Sequence, residues 1–305
     1  MKHVLVTGAS GLLGLNLALQ GTNRIRVTGV TNSHSLNGAP FAVLQADLAQ
    51  PGVFARLVEQ VKPDEVVHCA AQANIDTCEK DPAQSARLNA ELPGEVAEVC
   101  AKRSIPLAHI STDAVFDGLR GNYVEEDDTN PQSVYASDKL AGEKNVQAAN
   151  PLAIIARVTF YGWSLRGQRS LCEFFFYNLS AGKRVNGFTD VYSCSMLVND
   201  LADTVLEMLD KGLRGVYHVF SRDAQSKYQF GVSIARQFGL DKGLITPISV
   251  EDSGLVARRS PNLTMRVDKL EAALGRKMPT QAEGIARLHA LYLSGHAERI
   301  KRLAG

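Results

Sequence analysis

Short, nearly unbroken apolar runs separated by longer stretches of helical spacing dominate the first half of the chain. Val4–Val6, Arg26–Val30, Ala42–Leu44, Val66–Ala70, Leu107–Ile110 and Ile154–Val158 read as strands. Several are apolar at every position, and such strands need cover on both faces, the pattern of a parallel sheet between two helix layers. Helices are expected to open near Gly11, Gly52, Asp81, Val134 and Gln168. This alternation predicts βαβ units and an α/β class. Beyond residue 160 the pattern loosens. Val216–Phe220 reads as one more strand, and Leu201–Leu209 as a helix with Asn199 and Asp200 as caps. From Ser221 onward the chain reads as helical, with little strand signal. The expected organisation is a nucleotide-binding domain over 1–160 that takes back a strand near 216–220. A smaller lobe is then expected from 161–200 and 221–305.

Composition acts mainly by exclusion. With 45% hydrophobic residues in a chain of 305, a sizeable core is within reach and disorder is not expected. A formal net charge of +1 argues against a nucleic-acid backbone as the main partner. The apolar run at the N-terminus is too short for a signal peptide, and no stretch has the length to span a bilayer. The five cysteines, Cys69, Cys78, Cys100, Cys172 and Cys194, are scattered without metal-ligand spacing. They read as small buried hydrophobes of a cytoplasmic protein, and nothing in the sequence invokes a metal. A homodimer is the default assembly.

The first chemical signal is the segment Val4-Leu5-Val6-Thr7-Gly8-Ala9-Ser10-Gly11-Leu12-Leu13-Gly14. It reads as a strand, a tight turn and a helix start. Gly8 permits the turn, Gly11 lets backbone approach a pyrophosphate, and Gly14 lets the helix pack on the strand. Amides of Ser10, Leu12 and Leu13 at the helix start would face the phosphates. An NAD site usually carries Asp or Glu after the second strand, but here that strand runs into Asn32-Ser33-His34, and the first acidic residue of the chain is Asp47. Nothing there would repel a 2′-phosphate, and Ser33 and His34 could bond it. NADP(H) is therefore favoured over NAD(H). Asp47 and Leu48 are candidates for the adenine edge.

The second signal is Tyr135-Ala-Ser-Asp-Lys139, which places phenol and amine on one helix face. Reduction of a carbonyl needs a proton donor near the oxygen that gains charge, and a nearby ammonium is expected to lower the phenol pKa for that task. Ser111-Thr112-Asp113 follows a strand at the sheet edge where open α/β folds bind ligands. Thr112 would orient a substrate carbonyl beside Tyr135, with Asp113 in support. A strand-end turn of small polar residues is the competing account of this segment.

Taken together these residues resemble the extended short-chain dehydrogenases of the dTDP-4-dehydrorhamnose reductase type. The likeness takes in Thr7–Gly14, His68-Cys69-Ala70-Ala71 and Cys78-Glu79-Lys80-Asp81-Pro82. It continues through Ser111–Gly118, Tyr135–Glu143, Asp200-Leu201-Ala202 and the stretch from Arg258 to Asp268. The resemblance implies a Rossmann-type doubly wound parallel sheet with a smaller, mostly helical substrate-binding lobe. It implies hydride transfer from NADPH to a nucleotide-linked 4-keto sugar, with Thr112, Tyr135 and Lys139 as the catalytic set. Tyr135 and Lys139 would also contact the cofactor, and Ala70 and Ala71 would line it. Arg258 or Arg259 would face the substrate phosphates. Asn89 either supports the active-site helix or is a plain buried amide. The chain departs from the family pattern at Ala114, Ala136, Cys194 and Arg258-Arg259-Ser260-Pro261, mostly on the substrate side.

Two other readings stay open. One is an NAD-dependent sugar-nucleotide epimerase or dehydratase, which commonly carries the acidic residue absent here after the second strand. The other is a non-catalytic, NADP-binding regulatory subunit, because the regulatory β subunit of methionine adenosyltransferase shares a His-Cys-Ala-Ala run like residues 68–71.

Overall fold

The structure, a computed structural model, describes residues 1–22, 24–167, 169–253 and 260–304. Its centre is a seven-stranded sheet. The strands are β1 (His3–Thr7), β2 (Arg26–Thr31), β3 (Ala42–Gln45), β4 (Glu65–His68), β5 (Leu107–Thr112), β6 (Ile154–Val158) and the late strand Gly215–Val219. They lie in the order Gly215–Val219, β6, β5, β4, β1, β2, β3, and every pair is parallel. The chain builds outward from β1 through β2 and β3, then returns to place β4 on the other side of β1. Connections leaving β1 and β4 therefore diverge, which opens a crevice at their carboxyl ends. Thr7 sits at that edge, opposite Val30 of β2 and His68 of β4.

Alternation along β1 divides the core. Val4 and Val6 face a cluster with Leu13, Leu17, Val67, Leu201 and Val205, under the helices Leu12–Gly21 and Val198–Asp210. Leu5 faces the other layer, with Phe54, Leu57, Leu92, Val96 and Leu107, under Val53–Val61 and Leu92–Lys102. The helix Leu12–Gly21 has no polar stripe at its centre, since Leu13, Gly14, Leu15, Asn16, Leu17 and Ala18 are all buried. The reason is tertiary. Leu15 packs in a third cluster with Tyr161, Trp163, Leu197 and Leu288, from the second half of the chain. Complete burial of one such leucine is worth ~1.5–3 kcal/mol.

That second half is more stranded than its sequence suggests. Ile245–Ile248 pairs parallel with Val185–Phe188, Gln225–Ser226 pairs antiparallel with Tyr192–Ser193, and Asn262–Leu263 pairs parallel with the same segment. Runs this short carry no measurable period, and Pro247 inside one of them argues against a strand, although a two-stranded ribbon tolerates it. The expected caps also move. The helix starts at Val198, so Asn199 lies inside it and its amide donates to Gln20 Oε1 at 2.9 Å. Asp200 pairs with Arg287. Gln168, where a helix was expected to open, lies outside the described residues; the helix begins at Leu171 under a capping box of Ser170 and Glu173. Phe175 and Phe176 of that helix are buried, and Phe176 meets Trp163 edge-on at 5.2 Å. Among the described residues no helix is long and apolar enough to cross a membrane.

Candidate active site

The turn after β1 is built by contacts that exclude side chains. Gly8 has φ +66°, and a Cβ there would lie 2.8 Å from the Ala70 amide nitrogen. A Cβ on Gly14 would lie 2.4 Å from the Gly8 carbonyl oxygen, so the helix can close on the strand only with glycine at that place. Thr7 Oγ1 accepts from the Cys69 and Ala70 amides at 3.1 and 3.2 Å, tying the turn to the end of β4. The Gly11 amide donates to the Gly8 carbonyl at 2.8 Å.

Above this turn lies a cleft lined by Gly8, Ser10, Gly11, Leu12, Asn32, His34, Asp47, Leu48, Ala70 and Ala71. Five residues expected at the cofactor are not on its wall, namely Leu13, Gly14, Ser33, Tyr135 and Lys139. Leu13 is buried in the core, Gly14 packs on Gly8, and Ser33 is exposed with its hydroxyl 3.4 Å from His34 Nδ1. Asp47 spends its carboxylate on its own turn, accepting from the Ala49 amide at 3.0 Å and from Gln50 Nε2 at 3.3 Å. The wall also includes Val30, Thr31, Ala46, Cys69, Leu88, Ser164, Leu165, Arg166 and Arg169, which the sequence reading missed. The strand-end residues among them could have been extrapolated from the turn. Arg166 and Arg169 could not, because only the chain's return after β6 brings them there.

The second pole is at the ends of β5 and β4. Ser133 caps the helix Val134–Ala149 by accepting from the Ala136 amide at 3.2 Å, which sets Tyr135 in the first turn. The Thr112 hydroxyl is near enough to the Tyr135 phenol to lower its pKa. Thr112 Oγ1 also lies 3.1 Å from Asp113 Oδ1. Lys139, one turn below Tyr135, is 2% exposed. Its Nζ donates to the Ile110 carbonyl at 2.7 Å and lies 3.4 Å from His109 Nε2. One turn further, Glu143 accepts from Ser111 Oγ at 2.5 Å and pairs with Arg157 at 2.8 Å, all of it buried. Asn89 is buried too; its Nδ2 donates to the Gln72 carbonyl and its Oδ1 accepts from the Gln72 amide, at 3.0 and 3.1 Å. Its backbone carbonyl is so close to the Tyr135 helix that a Cβ on Gly142 would lie 2.2 Å away. The side chain thus packs as a buried amide, while the contact with the helix is made by the backbone carbonyl.

Electrostatics depart from expectation at the phenol. Burial pushes Tyr135 up to about 12, and the neighbouring Thr112 hydroxyl offsets this only in part. The expected lowering by an ammonium is not seen, because the Lys139 amine is turned toward Ile110 and His109. Burial lowers Lys139 itself to about 8 and raises Asp113. His68, whose Nδ1 lies 2.7 Å from Thr7 Oγ1, is lowered by burial to about 3 and stacks at 5.4 Å on His109. A phenol that holds its proton firmly, a hydroxyl beside it, an amine near its neutral point and a glycine-lined cleft meet at the same sheet edge. Arg258 and Arg259 lie outside the described residues.

Comparison with known proteins agrees with this geometry. The chain is 34% identical over 297 residues to a probable low-salt glycan biosynthesis reductase of Haloferax volcanii, covering 95% of this chain and 98% of that protein. It is 32% identical over 256 residues to a dTDP-4-dehydrorhamnose reductase of Mycobacterium tuberculosis, covering 81% and 79%. Identity to methionine adenosyltransferase 2 subunit beta of Bos taurus is 29% over 290 residues, covering 91% and 84%. A crystal structure of a dTDP-4-dehydrorhamnose reductase from Clostridium acetobutylicum superposes with a TM-score of 0.81 at 26% identity, covering 95% of this chain and 99% of that one. The model of the RmlD substrate binding domain family matches residues 1–293, and the chain belongs to that family.

Proposed function

We propose that the protein is an NAD(P)-dependent oxidoreductase that reduces the keto group of a nucleotide-linked sugar, and that NADPH is its preferred cofactor. The observation that carries this reading is the meeting of two poles at one sheet edge. The glycine turn lies at the end of β1, and Thr112 with its neighbour Tyr135 lies at the end of β5, one helical turn from Lys139.

The residues present fit a dinucleotide. The Gly8 turn keeps side chains away from the backbone that would meet the phosphates, and Asp47 is the sole carboxylate on a wall that carries Arg166, Arg169 and His34. Asn32 and His34 at the end of β2 would take the adenosine ribose, with Asp47 and Leu48 beside the base and Ala70 and Ala71 along the nicotinamide half. When bound, the reduced nicotinamide supplies the hydride. The protein's part is the proton. Tyr135 Oη, protonated throughout the neutral range, donates to the carbonyl oxygen as charge develops there. Thr112 Oγ1, which donates to Asp113 Oδ1 here, would orient that oxygen by turning its proton from Asp113 to the substrate. Lys139, cationic below about pH 8, would stabilise the phenolate left behind by turning its amine from the Ile110 carbonyl toward Tyr135. Arg258 or Arg259 takes the substrate phosphates, in a sugar-binding part made of 161–200 and 221–305.

The test is oxidation of NADPH against a panel of nucleotide-linked 4-keto sugars, with Tyr135→Phe alongside. Turnover is expected with at least one sugar, and a loss of at least about 100-fold in kcat in the variant with cofactor binding retained. Full activity of Tyr135→Phe would remove the phenol from the chemistry. The likeness to methionine adenosyltransferase 2 subunit beta supports a second reading, a cofactor-binding regulatory subunit. Tight NADPH binding without turnover, together with a larger partner that co-purifies, would favour it.

A further inference from the structure

Ser164, Leu165, Arg166 and Arg169 form the far wall of the cleft, between β6 and the helix Leu171–Ser180. One buried carboxylate ties Ser164 to Arg169 and Ser170. Glu173, 1% exposed, accepts from the Ser164 amide at 2.7 Å, from Ser164 Oγ at 2.8 Å, and from the Arg169 and Ser170 amides at 3.0 and 3.2 Å. Its charge is met by backbone amides and a hydroxyl, so the guanidinium groups of Arg166 and Arg169 are not needed to balance it. Among the described residues, neither arginine has an acidic partner within 4 Å, and both are exposed on the cleft wall.

The segment faces the end of β2. Leu165 and Trp163 share a hydrophobic cluster with Leu36, five residues beyond the end of that strand. Thr31, Asn32 and His34 line the same cleft as the two arginines. The carboxylate that would hold a free ribose 2′-hydroxyl is missing at this strand end, and so is an arginine following it. A cleft with two uncommitted guanidinium groups, a histidine and one internally satisfied carboxylate is built for an anion.

We infer that Arg166 and Arg169, delivered from the far side of the molecule by the Glu173-pinned loop, bind the 2′-phosphate of NADP(H) and set the preference for it over NAD(H). This rests on the reading of the cleft as a dinucleotide site. Cofactor choice is thereby separated from the strand end where it is ordinarily made. It is moved to a segment that itself belongs to the proposed sugar-binding part of the chain.

Binding of NADPH, NADH, 2′,5′-ADP and ADP by calorimetry separates the possibilities, for the unaltered chain and for Arg166→Gln, Arg169→Gln and the double variant. Both side chains are exposed, so the variants should keep the unaltered melting temperature, which is checked first. The double variant is expected to bind NADPH and 2′,5′-ADP about 10- to 100-fold more weakly, with NADH and ADP changed less than about twofold. Arg169→Lys should recover part of the loss. Equal weakening of NADPH and NADH would assign the arginines to the pyrophosphate and overturn the inference, as would no change in either. Failure of the unaltered chain to bind any of the four ligands would overturn the dinucleotide reading itself, and this inference with it.

Discussion

At the scale of single residues, the site couples two groups that burial pushes in opposite directions. Tyr135 is raised to about 12 and Lys139 lowered to about 8, so the two titrate far apart instead of sharing one transition. Only Lys139 then changes charge in the accessible range. Its cation is present below about pH 8 and lost above it, and kcat/KM for reduction is expected to fall on the alkaline side with a midpoint near 8. Lys139→Gln should leave a residual rate whose alkaline limb is gone. A limb that persists unchanged in that variant would belong to another group. The Tyr–Lys spacing was legible in the sequence, since a helix puts i and i+4 on one face. The direction in which the amine turns was not, because that depends on the Ile110 carbonyl and on His109 in a neighbouring strand.

At the scale of elements, the catalytic helix is held by close backbone approach. Gly142 lies between Lys139 and Glu143, on the side that meets Asn89. Ala would be the better residue for an isolated helix, by roughly 1 kcal/mol. Here its methyl group would lie 2.2 Å from a carbonyl oxygen, and the helix would have to move. Gly142→Ala is therefore expected to destabilise the protein by about 1–3 kcal/mol and to lower kcat, measured by denaturant unfolding and by turnover. A gain in stability would show that the helix has room to shift. The Gly8–Gly14 turn was readable because its glycines sit at fixed offsets from an apolar strand. The ribbon of Val185–Phe188 and Ile245–Ile248 was not readable, because a parallel pairing between distant short segments leaves no local period.

At the scale of the whole molecule, the sheet buries several imidazoles. Burial lowers His68 and His218 to about 3 and takes His109 well below its ordinary value. The unfolded chain therefore binds protons that the folded protein refuses as pH falls from about 6.5 toward 3, and stability falls with it. Each fully buried imidazole contributes about 1.4 kcal/mol per pH unit over that window. Asp113 and Glu125, raised by burial, act in the opposite sense. The melting temperature is expected to drop steadily between pH 7 and pH 5, where most carboxylates are still ionised. A flat profile over that range would mean that these imidazoles gain protons within the fold.

The sequence by itself determined the α/β class, the parallel sheet, the glycine turn and the Thr–Tyr–Lys spacing. Each of these is a local matter of apolar period, glycine offset or helical face, and local patterns survive in one dimension. Tertiary structure alone decided which cations reach the cleft, where the Lys139 amine points, and why the helix Leu12–Gly21 has no polar stripe. These depend on chain segments far apart in sequence that meet only because β4 returns beside β1 and the later chain folds over the first helix.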